Sequence, residues 1–135
     1  MDIFFSDPDE IPLPPGEIRF RDIQVNPIDD SNKIKIYIEI DPFQKKPNID
    51  LVVFNNRREI ATSVNIIESI QRKIEIIAHL KRNTADVEFN LEAKLYYSEI
   101  EDEENNNGKI SRFIDSIVDK KEFPFNLQTQ DLDAK

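Results

Sequence analysis

The sequence carries 27 acidic side chains against 18 lysines and arginines, a single histidine and no cysteine. Acid–base or metal chemistry would therefore have to come from carboxylates. The acids gather in three places: Asp7, Asp9 and Glu10; Asp29 and Asp30; and Glu101 to Glu104. Hard oxygen ligands of this kind suit Ca²⁺, and loops at the end of a β-sandwich could present them. No fixed ligand spacing accompanies them, so a Ca²⁺-dependent surface binder is the alternative reading and no cofactor is assigned. Paired carboxylates could also serve as acid and base, but acids are so frequent here that pairs arise by chance. His79 would have to serve any Ser-His-Asp triad, and it lies out of phase with Ile76, Ala78 and Leu80, which places it on an exposed strand face. Without cysteine there is no disulfide, thiolate nucleophile or Cys-ligated zinc. No glycine-rich phosphate loop, zinc-protease helix, nucleophile elbow or EF-hand loop is present, and an enzyme would have to be of an unrecognised type. The sequence points to no catalytic, cofactor-binding or metal-ligating residue.

The remaining candidates are residues that bind by contact. Tyr37, Phe54 and Tyr96 alternate with charged or apolar neighbours on outward strand faces, and exposed aromatics are enriched at interfaces. Phe4 and Phe5 are too apolar for a free tail; folding back onto the domain is the preferred reading, and a partner contact is the other. These five are the candidate interface residues. The formal charge is −9, and the longest basic groupings are pairs such as Lys45-Lys46, Arg57-Arg58 and Lys120-Lys121, which opposes nucleic-acid binding. The start of the chain lacks the basic and apolar regions of a secretory signal. No stretch reaches the roughly 18 apolar residues of a membrane span. The expectation is a soluble, acidic, cytoplasmic, non-enzymatic domain for protein interaction or structural support, with a protein or a second copy of itself as partner.

The elements that would hold these residues follow from periodicity. Residues 1–16 form an extended, proline-rich segment, because proline fixes φ and removes a donor. From residue 17 the period becomes two. Ile18 and Phe20 share a face, Ile23 and Val25 continue in the opposite phase, and the slip at Arg21-Asp22 predicts a β-bulge. Asn26-Pro27 through Asn32 reads as a turn. Ile34, Ile36, Ile38 and Ile40 alternate with Lys35, Tyr37 and Glu39, the pattern of a half-buried antiparallel strand. Ile49, Leu51 and Val53 form the next inward row. Asn55 to Arg58 is a hairpin turn in which asparagine supplies the positive φ, and the return strand presents Ile60, Thr62, Val64 and Ile66 inward. Ile74, Ile76, Ala78 and Leu80 form a fifth row; helical spacing over residues 66–77 is rejected because β-branched side chains lose freedom in helices.

After a turn at residues 81–86, Val87 to Tyr97 alternate without interruption. Residues 99–109 are so charged that a disordered acidic loop is expected. A last strand over about 114–127 is preferred to a helix over residues 110–118, and Pro124 confines it to a sheet edge or a bulge. Residues 128–135 form a polar tail. About seven strands joined by short turns predict an all-β, antiparallel β-sandwich spanning residues 17–127.

The strand sequence resembles the A-B-C-C′-E-F-G plan of immunoglobulin-like and fibronectin type III-like domains, without the Cys and Trp of antibody domains. The stretch Asp2 to Pro15, with Asp41-Pro42-Phe43-Gln44 and Pro47-Asn48, also resembles a family of small uncharacterised bacterial proteins of cyanobacterial type. That resemblance implies the same sandwich and carries no activity.

Overall fold

In strand β2 (Lys33–Ile40) the four isoleucines at alternate positions are fully buried, and the residues between them face outward. The same two-residue period builds the rest of the core: Ile49, Leu51 and Val53 on β3 (Asn48–Asn55), and Phe89, Leu91, Ala93, Leu95 and Tyr97 on β6 (Glu88–Asn105). The computed structural model describes residues 11–28, 32–81 and 86–127. Within them β1 (Phe20–Ile28), β2 and β5 (Lys73–His79) form one antiparallel sheet in the order β1-β2-β5. The second sheet, β4-β3-β6-β7, adds β4 (Ile60–Ile66) and β7 (Gly108–Asn126). The buried rows of the two sheets make one hydrophobic cluster, so the domain is an all-β antiparallel sandwich. Among the described residues no helix is long and apolar enough to cross a membrane.

The predicted bulge is present, as a register shift between Phe20 and Asp22. Helices over residues 66–77 and 110–118 do not form; both stretches join strands or the loop between them. Pro124 sits on β7, the edge strand, where its missing N–H costs no ladder bond.

Four smaller expectations are corrected first. Asn26 and Pro27 continue β1, paired with Lys35 and Ile34, because β1 is an edge strand that tolerates proline. In the β3–β4 turn Arg58, not an asparagine, takes the positive φ of 65°; Asn55 instead accepts the N–H groups of Arg57 and Glu59 through its side chain. A register shift beside Phe54 then turns Ile60 outward and buries Ala61 in its place. Pro15 begins a 3₁₀ turn over Pro15–Glu17 instead of extending the proline run, and Leu13 before it is tied to the β2–β3 loop by two backbone bonds.

The largest correction concerns residues 99–109. They are a hairpin: β6 runs on to Asn105, Asn106 and Asn107 turn, and β7 returns from Gly108 in antiparallel register that is unbroken as far as Tyr96↔Ile117, beyond which a bulge at Val118 shifts it. Cross-strand partners offset the charge that suggested disorder. Gly108, at φ 120°, takes a conformation costly for any other residue, and the Asn105 side chain accepts the Asn107 N–H at 2.8 Å.

Candidate interaction surface

The third strand stops pairing at Asn48↔Tyr96, yet β6 and β7 go on without it. From Ser98 to Asn105 the chain is therefore a two-stranded ribbon projecting about 25 Å beyond the sandwich, at about 3.3 Å per residue. Alternation fixes its faces. Ser98, Ile100, Asp102 and Glu104 continue the outer face of the sheet, while Glu99, Glu101 and Glu103 continue the face that lower down meets the core. Every described side chain of the ribbon between Glu99 and Asp115 is exposed, including Ile100 at 61%, Ile110 at 51% and Ile114 at 40%.

The root of this arm is fastened to two loops. The buried Asn48 accepts the Glu68 N–H through Oδ1 at 2.8 Å and donates from Nδ2 to Ser98 Oγ at 3.4 Å; Ser98 Oγ donates in turn to Asp115 at 2.6 Å. The Tyr97 hydroxyl donates to the Lys45 carbonyl at 2.8 Å, and the Lys45 ammonium lies 5.4 Å from the ring centre. Burial raises the Tyr97 phenol above its ordinary pKa. The β4–β5 loop is held to the β2–β3 loop by the Ser69 N–H, which donates to the Pro47 carbonyl at 2.8 Å, and Glu68 is left-handed at φ 50°. This loop keeps Ile67 and Ile70 outside, at 62% and 74% exposure. Both loops and the arm thus share one end of the sandwich and carry an uncovered set of isoleucines, although Ile is among the most often buried residue types.

The acidic run Glu101 to Glu104 does not converge. Successive carboxylates point to opposite faces, and cations stand opposite: Arg112 lies 3.0 Å from Glu101, while Asp102 is 3.5 Å from Lys109 and accepts the Ser111 hydroxyl at 2.6 Å. Among the described residues no group of three or more His, Asp or Glu is close enough to hold a metal. The clusters at Asp7, Asp9 and Glu10 and at Asp29 and Asp30 lie outside those residues. His79 is exposed, as its phase predicts. At the far end, an open depression of about 440 Å³ is floored by the stacked rings of Phe89 and Phe125. Its polar lining is asparagine amides with one carboxylate, Glu88.

The aromatic candidates are not brought together. Tyr37 lies on the outer face of the three-stranded sheet, half-buried, and its hydroxyl donates to Glu39 at 3.3 Å. Partial burial and the Glu39 carboxylate raise its pKa. Phe54 and Tyr96 share the outer face of the other sheet but stand about 20 Å apart along the strands, being six residues apart in register. Phe54 is roofed by the Arg58 guanidinium, 4.2 Å from the ring centre and paired with Glu92 at 3.1 Å. The Tyr96 hydroxyl accepts from Asn65 at 2.9 Å. Each of the three is engaged within the chain. Phe4 and Phe5 lie outside the described residues. Sequence reasoning missed the isoleucines of the arm and of the β4–β5 loop, along with Asn48 and Tyr97. The Asn107-Gly108 pair, a strong hairpin signal, was the clue to the arm. No family model matches this chain, and no curated protein matches it.

Proposed function

We propose that this chain is a non-enzymatic protein-interaction domain of immunoglobulin/fibronectin type III-like plan, and that the projecting β6–β7 arm is its contact element. The plan is supported by the strand order, since β1-β2-β5 facing β4-β3-β6-β7 corresponds to A-B-E facing C′-C-F-G. One observation carries the functional reading: a two-stranded ribbon, anchored at its root, holds isoleucines in solvent and leaves two strand edges without a strand partner among the described residues. An ordered hairpin whose described isoleucines all stay exposed is better explained by a partner than by stability. Exposed edges invite pairing with another strand. The net charge of −9 disfavours nucleic acid as that partner, and a cytoplasmic setting fits a cysteine-free chain.

The test is capture by the full chain against capture by a chain whose arm is shortened. Loss of bound protein on shortening supports the reading; an unchanged set of bound proteins refutes it.

A further inference from the structure

We infer that the partner taken by the arm is a second copy of this chain, joined through the free edge of β7 in an antiparallel pairing centred on Arg112. This rests on the reading of the arm as the contact element and names what it contacts. A two-fold axis perpendicular to a sheet keeps each face on its own side, so opposed residues must share a face in both copies. Along residues 108–117 that requires the two residue numbers to differ by an even amount. Centring on Arg112 sets Lys109 opposite Asp115 twice and Ile110 opposite Ile114 twice. Lys109 and Asp115 belong to the outer face and the two isoleucines to the other. Moving the centre one residue either way sets Lys109 opposite Phe113 or Ile117 and Arg112 opposite Ile110 or Ile114, so the charges lose their partners.

Within the favoured pairing the two Arg112 side chains become neighbours, and each already carries its own Glu101 at 3.0 Å. The row then reads acid, base, base, acid. The Lys109–Asp115 row is likewise flanked by Glu104 on one side, through the Glu104↔Lys109 pair, and by Ser98 on the other.

The length of the free edge agrees. Toward the body it ends at Asp119, whose carboxylate accepts the Phe20 N–H at 2.9 Å and so brings the start of β1 against β7. In the register centred on Arg112 the turn residue Asn106 of one copy reaches Val118 of the other and stops one residue short of that contact. Of the occupants available, the chain's own first ten residues fit poorly: Asp2, Asp7, Asp9 and Glu10 would meet an arm already rich in acid. A basic peptide would satisfy the acids of β6 but leave the Lys109–Asp115 alternation of β7 unused.

The experiment is sedimentation of the full chain over a concentration series, together with Lys109→Asp, Asp115→Lys and an equimolar mixture of the two variants. The expected result is a wild-type dimer and, for each single variant, dimerisation weakened about tenfold, because two attractive cross-strand pairs become repulsive. The mixture should restore it, since one variant then carries acids at both positions of the pair and the other carries lysines at both; this also controls for misfolding. A monomeric wild type overturns the self-pairing while leaving the arm open to another partner, which the capture experiment decides separately. A dimer indifferent to all three changes also overturns it.

Discussion

If the arm serves contact and not stability, it can be removed without unfolding the domain. The cleanest excision deletes Glu99–Glu104 and Lys109–Ile114, carrying the Asn105–Gly108 turn down onto the Ser98↔Asp115 pair. Six residues leave each strand, an even number, so every retained side chain keeps its face. Among the described side chains the apolar loss is that of the half-exposed Ile100, Ile110 and Ile114, worth about 1 kcal/mol each on the scale of apolar area. Against that, ordering each arm residue costs about 1 kcal/mol or more, offset by the ribbon's own hydrogen bonds. The deleted residues are tied to the body by Lys45–Glu99, at 4.0 Å between exposed groups, which contributes little. The net change should lie within about 1 kcal/mol of zero, a shift of a few degrees in Tm. Leu95→Ala, at a fully buried position of the same strand, should by contrast cost about 2–5 kcal/mol. Paired urea and thermal melts of the two variants decide the matter. An excised chain that loses as much as Leu95→Ala would refute the separation of arm from body.

Gly108→Val forces a β-branched residue to φ 120° and should cost about 1–2 kcal/mol at the turn alone; amides of the arm tip should exchange faster while Tm holds. Asn48→Ala removes the acceptor of the Glu68 N–H and the donor to Ser98, costing about 1–3 kcal/mol in urea and loosening the arm's root. Tyr97→Phe leaves the Lys45 carbonyl without its donor, at about 1 kcal/mol, and of the two phenols raised in the wild type, Tyr37 and Tyr97, an ultraviolet titration of this variant should retain only one ionising late. Glu59 is held below the ordinary carboxylate pKa, first by the Asn55 amide and then by Arg57. Its ionised form therefore adds stability that is present above the unfolded-state pKa and lost as pH falls through the folded-state one. The difference in urea midpoint between wild type and Glu59→Gln should shrink on acidification; a gap that stays constant as the carboxylates protonate would refute this.

The body of the fold was legible because its strands alternate and its core is built from rows such as Ile34 to Ile40, where one slip would expose every isoleucine. Pro124 and the slip at Arg21-Asp22 located an edge and a bulge for the same reason: each breaks the pattern in a way the backbone must accommodate. The arm was hidden by composition. Five acids in six residues, Glu99 to Glu104, read as a solvated run, whereas their partners Lys109, Ser111 and Arg112 lie across a turn that only register reveals. Ile60 was misplaced because a bulge beside Phe54 reverses the phase that Thr62, Val64 and Ile66 keep. The aromatic candidates failed differently: Phe54 and Tyr96 are on the expected face, but Arg58 and Asn65 already engage them.

Hydrogen exchange of the full chain, followed peptide by peptide at dilute and at high protein concentration, tests the account most directly. Amides of residues 108–117 should slow as concentration rises, while the outer face of β1, β2 and β5 around Tyr37 stays unchanged. Slowing confined to that outer face, with the arm exchanging at its dilute rate, would contradict the assignment of the arm as the contact element.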